Sequence, residues 1–129
     1  MTHHRFPVRV YYEDTDLAGI VYYANYLKFI ERARSEWVRE LGVDQVQMKA
    51  EGLVFAVRRV EADYLTPAKY DDELVVQTAM EPGSGVRLVV RQDVMRGDEI
   101  LFSALVTIIC MTSEGAVARL PAVIRRFMH

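Results

Sequence analysis

One run of helical period stands in a chain otherwise written in the period of strands, and that contrast limits the fold more than any other feature. From Tyr23 to Leu41, apolar residues recur every three or four positions, at Tyr23, Tyr26, Leu27, Ile30, Ala33, Trp37 and Leu41. Lys28, Arg32, Ser35 and Arg39 share the opposite face, so the segment predicts one long amphipathic helix. Gly42 suits the left-handed position just past its C-terminus, and Arg39 complements the negative end of the helix dipole. Before it, Phe6, Val8, Val10 and Tyr12 alternate with Arg5, Pro7, Arg9 and Tyr11, the pattern of a half-buried strand.

After the helix, a short helical piece is expected over residues 44–50, followed by four strands. Val54, Ala56, Val60, Ala62 and Tyr64 share one parity in the first of these. Leu74 to Met80, Leu88 to Val94 and Ile100 to Met111 follow, separated by the turn residues Pro82-Gly83-Ser84-Gly85 and Arg96-Gly97-Asp98. The tail from Pro121 to Met128 suits a last helical turn or two. The expected fold class is α+β: one helix and a five-strand antiparallel sheet, with the last four strands as a meander and the apolar Ile100–Met111 strand at its centre. One helix covers only part of such a sheet. The uncovered surface and edges therefore predict self-association, as a dimer or a tetramer.

Composition narrows the function. The 129 residues suit a single domain over 1–129, and 51% apolar content excludes a disordered chain. Sixteen Lys and Arg against 18 Asp and Glu give a net charge of -2, which lacks the field that holds a phosphate backbone, so no nucleic-acid partner is expected. The longest apolar run, Ala104 to Met111, is too short for a transmembrane segment, and residues 1–9 lack the apolar core of a secretory signal. The single cysteine, Cys110, reads as a buried reduced thiol, consistent with a cytoplasmic protein. All three histidines, His3, His4 and His129, lie near the chain ends, where order is usually poor. Histidine-dependent serine or cysteine hydrolysis and a histidine-ligated metal are thereby discounted, and acid-base work falls to carboxylates.

The densest group of unusual residues is YEDTDLAGIVYYANY, residues 12–26, which joins the first strand to the helix. A calcium loop starting at Asp14 fails, because Ala18 and Asn25 stand where ligands are required. Two readings remain. On the first, Asp14 and Asp16 are only turn or cap residues, as aspartates commonly are. Alternatively, Asp16 sits beside a helix N-terminus whose unpaired N–H groups polarise a carbonyl, and acts as nucleophile or general base on its carbon.

This string, continued by Leu27-Lys28-Phe29-Ile30-Glu31-Arg32-Ala33-Arg34, resembles the signature of the hotdog-fold acyl-CoA thioesterases of the 4-hydroxybenzoyl-CoA thioesterase superfamily. It is most similar to the Tol-Pal-associated branch, and the likeness extends through Asp63-Tyr64, Pro67-Ala68 and Tyr70-Asp71-Asp72. The resemblance implies a helix wrapped by the sheet and hydrolysis of short- to medium-chain or aromatic acyl-CoA, or of thioesters on acyl carrier protein. Neither a metal nor a separate cofactor is implied, because coenzyme A is part of the substrate. Asp16 of Asp16-Leu17-Ala18-Gly19 matches the catalytic aspartate, the backbone N–H of Tyr23 matches the oxyanion donor, and Gly19 would allow close approach of the backbone. Active sites at a subunit interface are also implied. The chain departs from the branch at Tyr23, where many members carry histidine.

Arg58, Arg59 and Arg87 are candidates to bind the phosphates of coenzyme A, or else solvated strand residues. Glu31 and Arg34 are spaced as a helix ion pair, and Trp37 and the helix tyrosines as core. The alternative to catalysis is a hotdog protein that only binds an acyl thioester or a partner. A hotdog dehydratase is disfavoured because it would want an internal histidine.

Overall fold

The computed structural model describes residues 3–128. Its elements are β1 (His4–Arg9), α1 (Asn25–Glu40), α2 (Gln45–Ala50), β2 (Leu53–Tyr64), β3 (Glu73–Glu81), β4 (Leu88–Arg96), β5 (Glu99–Thr112), β6 (Val117–Ala118) and α3 (Ala122–Arg125). All pairings are antiparallel, in the order β1-β3-β4-β5-β2, with the two-residue β6 beside β5.

Two expectations about the sheet need correction. Only β3, β4 and β5 form a meander, because β2 crosses to the far edge and pairs with β5 rather than β3. The middle position therefore belongs to β4, while β5 lies between β4 and β2. Hairpin loops are short enough to force neighbours together, but the β2–β3 link, residues 65–72, is long enough to span the sheet.

The face assignment of β2 also changes. A bulge at Arg58 inserts one residue between Val57 and Arg59, so the strand reverses parity there. Phe55 and Val57 before the bulge, and Val60, Ala62 and Tyr64 after it, lie opposite Cys110, Ile108, Val106, Ala104 and Phe102. Val54 and Ala56 lie opposite Met111 and Ile109, on the other face.

Helix α1 buries Tyr26, Phe29, Ile30, Ala33, Trp37 and Val38. They join a core that includes Leu74 and Val76 of β3, Val90 and Val94 of β4, and Phe102 of β5. Burying a Phe or Ile side chain such as Phe29 or Ile30 contributes about 1.5–3 kcal/mol. A polar staple crosses this interface. Gln92, 0% exposed, donates through Nε2 to the Ile30 carbonyl and to Thr78 Oγ1, both at 2.9 Å, and accepts from Arg34 Nη1 at 3.0 Å. Burial lowers the Arg34 pKa, which nearby Glu31 partly opposes. Arg34 is thus engaged with Gln92 rather than in the expected Glu31 ion pair, and Glu31 accepts instead from Ser35 Oγ at 2.6 Å.

The C-terminus of α1 closes as its glycine predicts. Gly42 sits at φ +97°, its N–H donates to Arg39 O at 3.0 Å, and Val43 N–H donates to Val38 O at 3.2 Å. That is a Schellman cap, completed by apolar Val38 and Val43 in the core.

Candidate active site

The segment between β1 and α1 divides its acids between two tasks. Asp14, 8% exposed, ends a 3-10 turn and is fully engaged. Its Oδ2 accepts from Tyr11 N–H at 2.8 Å, its Oδ1 from Asn25 Nδ2 at 3.0 Å, and its carbonyl from Tyr22 N–H at 2.8 Å. The turn-and-anchor reading describes Asp14 well.

Asp16 is exposed and begins a three-residue hairpin. Its N–H donates to Ile20 O and its carbonyl accepts from Gly19 N–H, both at 2.9 Å, while Thr15 and Val21 pair across the base. Gly19 has φ +80°, the left-handed position that ends such a turn, and Asp16 Oδ1 accepts from Ala18 N–H at 2.9 Å. The spacing of Asp16 and Gly19 is therefore a turn requirement. Among the described residues Asp16 Oδ2 has no hydrogen-bond partner, so one carboxylate oxygen is pinned and the other faces outward.

The β2–β3 link holds this hairpin to the helix. Val21 N–H donates to Ala68 O at 2.9 Å, Ile20 pairs with Lys69, and Ala68 N–H donates to Tyr26 Oη at 3.0 Å. Asp72 Oδ2 accepts from Lys69 N–H and from Arg96 Nη1, both at 2.8 Å, which fixes the far side of the link. Burial raises the pKa of the Tyr26 phenol, against the pull of the Ala68 N–H and Arg96.

Helix α1 starts two residues later than its periodicity predicts, at Asn25, leaving Tyr23 and Ala24 in a turn. Asn25 N–H donates to Tyr22 O at 2.8 Å, and Ala24 supplies no side-chain cap. Among the described residues, the backbone N–H groups of Tyr23 and Ala24 have no acceptor. They are unpaired donors in the turn that leads into the helix, beside the positive end of its dipole. Tyr26 and Trp37 belong to the core as expected, but the Tyr23 ring is 62% exposed. Tyr22, whose ring lies 5.0 Å from it, is exposed too, as are Tyr12 and Leu17 of the preceding segment.

The structure thus brings Asp16, Gly19 and Tyr23 to one strand-to-helix junction. The candidate arginines do not gather there. Arg58 is the bulge residue of β2, Arg59 pairs with Glu61 at 3.6 Å, and Arg87 closes the loop before β4, its carbonyl accepting from Ser84 N–H at 2.9 Å. That loop leads to a basic cavity the sequence reading missed, of about 420 Å³, lined by Gly83, Ser84, Gly85, Arg119, Arg125 and Arg126. The arginine-rich tail was its signal. A Cβ on Gly83 would collide with the Arg87 carbonyl, and Leu120 N–H donates to Gly85 O at 2.9 Å, so loop and tail are built as a unit. A second cavity, about 190 Å³, runs beside α1 and is lined by Glu31, Arg34, Val38, Phe55, Val57 and Leu88.

The histidine expectation is corrected for His4. It is part of β1 rather than a frayed end, with Nε2 2.6 Å from Glu40 Oε2 at the distal end of α1. His129 lies outside the described residues. Among the described residues, no group of three His, Cys, Asp or Glu side chains is placed to hold a metal, and no helix is long and apolar enough to cross a membrane.

A long helix lying on an open antiparallel sheet defines a hotdog-type α+β fold. The family model described as 4HBT, thioesterase superfamily, matches residues 18–103, beginning two residues beyond Asp16. An acyl-CoA thioesterase YbgC from Haemophilus influenzae is 43% identical over 107 residues, 82% of this chain and 79% of that protein. An acyl-CoA thioester hydrolase YbgC from Escherichia coli is 42% identical over 108 residues, 83% of this chain and 81% of that protein. A probable thioesterase from Bartonella henselae has a crystal structure that superposes with a TM-score of 0.88 at 38% identity, covering 93% of this chain and 100% of that one. The chain belongs to the thioesterase superfamily and is a thioester hydrolase by that membership.

Proposed function

We propose that this chain hydrolyses the thioester bond of acyl-CoA, with Asp16 as the attacking or water-activating carboxylate and the Tyr23 N–H as oxyanion donor. The observation that supports it is the pairing of an exposed carboxylate oxygen on a fixed hairpin with unpaired N–H groups at the start of α1. The related proteins from Haemophilus influenzae and Escherichia coli bear the matching activity in their names. As the nucleophile adds to the thioester carbon, negative charge moves onto the carbonyl oxygen and is stabilised there by the preorganised donor. The C–S bond then breaks, water supplies the new hydroxyl, and coenzyme A leaves as the thiol with a carboxylic acid as the second product. The mechanism requires no metal or added cofactor.

The small cavity beside α1, lined by apolar Val38, Phe55, Val57 and Leu88 and by charged Glu31 and Arg34, is the proposed place for a short- to medium-chain or aromatic acyl group, delivered on coenzyme A or acyl carrier protein. Arg58, Arg59 and Arg87 remain the proposed phosphate contacts. The basin of Arg119, Arg125 and Arg126, adjoining the Arg87 loop, adds positive charge for the phosphates. The twelve-residue edge strand β2 is unpaired on its outer side among the described residues, and we place self-association and a shared active site there. A cytoplasmic site of action is consistent with the free, buried Cys110.

Free-thiol release from a panel of aliphatic and aromatic acyl-CoAs, wild type against Asp16→Asn at equal melting temperature, tests the reading. A loss of about a hundred-fold or more is expected for removal of a reacting group. Equal rates would remove Asp16 from the mechanism, and no turnover of any thioester by the wild type would leave a binding protein. Sedimentation velocity during turnover tests the interface, since an active monomer would overturn it.

A further inference from the structure

The turn before α1 is held from behind by a residue far along the chain. Tyr64, the last residue of β2, donates its hydroxyl to the Tyr23 carbonyl at 2.9 Å. In a continuing helix that carbonyl would take the Leu27 N–H, which instead donates to Ala24 O at 3.1 Å. Among the described residues Tyr64 is the only donor to it. The Tyr64 ring meets Tyr26 edge-on at 5.6 Å and Phe102 at 5.0 Å, while Tyr26 stacks on Phe102 at 4.9 Å with 7° between planes. This packing positions the ring, and phenylalanine would fill it equally well. The hydroxyl serves the Tyr23 carbonyl.

That carbonyl and the Ala24 N–H belong to one planar peptide. Ala24, at φ -73° and ψ -19°, with the Asn25 N–H to Tyr22 O bond, makes a type I turn. In such a turn successive N–H groups point the same way, as they do at the start of a helix, so the Tyr23 and Ala24 donors face one space. A hydrogen bond accepted at the carbonyl fixes the plane of this peptide and polarises its N–H. Burial, then the neighbouring Tyr23 and Tyr26 phenols, pushes the Tyr64 pKa up.

We propose that Tyr64 is a positioning residue for thioester hydrolysis: it fixes the Tyr23–Ala24 peptide so that the Ala24 N–H acts with the Tyr23 N–H as a second oxyanion donor. The proposal rests on the reading that the thioester oxygen is held at the N-terminus of α1.

Its test combines Tyr64→Phe with backbone amide-to-ester replacement, in which the α-hydroxy acid analogue at position 23 or 24 deletes one N–H and leaves the side chain. Rates are read with the acyl-CoA that the wild type hydrolyses fastest, on variants with wild-type melting temperature. Tyr64→Phe is expected to lower kcat about ten-fold with KM unchanged, because polarisation matters more as charge develops. The ester at Ala24 is expected to lower kcat about a hundred-fold. Tyr64→Phe should add no further loss in that ester background, since both act through one peptide. Wild-type kcat in Tyr64→Phe, a change confined to KM, or independent losses in the combined variant would overturn the proposal. An inactive Tyr23 ester beside an active Ala24 ester would remove the second donor and leave the oxyanion site standing. Full activity in both esters would overturn the oxyanion reading itself.

Discussion

Helices α1 and α2 begin in opposite ways. Asp44 caps α2, its Oδ1 accepting from Val46 N–H at 3.0 Å and Gln47 N–H at 3.1 Å. Helix α1 has alanine at the corresponding place and no side-chain cap, although such a cap is worth about 1 kcal/mol. The longer helix can forgo it because its buried face, the Gln92 staple and the Schellman cap already secure it. The proposed oxyanion donors lie at this open start.

The sharpest way to break this contrast is to fill the open end. Ala24→Asp places a carboxylate where the oxyanion forms, and thiol release should fall about a hundred-fold while the melting temperature holds. An unaffected rate would mean that the open end is incidental. Gln92→Leu asks whether α1 depends on its staple: the Ile30 carbonyl and Thr78 lose a donor and Arg34 loses an acceptor, so urea unfolding should show a loss of about 2 kcal/mol. Gly42→Ala strains the left-handed residue at the closed end, with an expected loss of about 1 kcal/mol and little change in turnover.

Asp44→Ala should cost about 1 kcal/mol or less and leave kcat untouched, because the α2 cap is structural only. An effect confined to high pH is expected at Cys110, distant from either helix start in sequence. Burial pushes its thiol up from 9.0 to about 11. The folded state therefore holds this proton more tightly than the unfolded state, so the contribution is full below pH 9 and is lost as pH rises from 9 to about 11. Cys110→Ala should flatten that part of the stability profile and leave its slope near neutral pH unchanged.

Much of this was legible because it is local. The periodicity of α1, the capping glycine Gly42 and the loop over residues 13–19 follow from backbone preferences over a few residues, whereas the three-residue hairpin within that loop shows only in the structure. The start of α1 was less legible, since apolar spacing continues through Tyr23 while the backbone there has already become a turn. The arginine basin escaped notice because Gly83–Gly85 and Arg119–Arg126 are joined only when the tail folds back.

By itself the sequence determined the kind of the main elements and the buried face of α1, because hydrophobic period and turn chemistry act within a few residues, while the candidate site residues came from a family resemblance. Tertiary structure decided that β2 crosses to the outer edge, that Arg58 reverses its face, that Arg34 takes Gln92 rather than Glu31, and that Tyr64 reaches the Tyr23 carbonyl. Each of these is a choice among long-range partners, and such a choice is made by which pairing buries the most apolar surface while leaving the fewest polar groups unpaired.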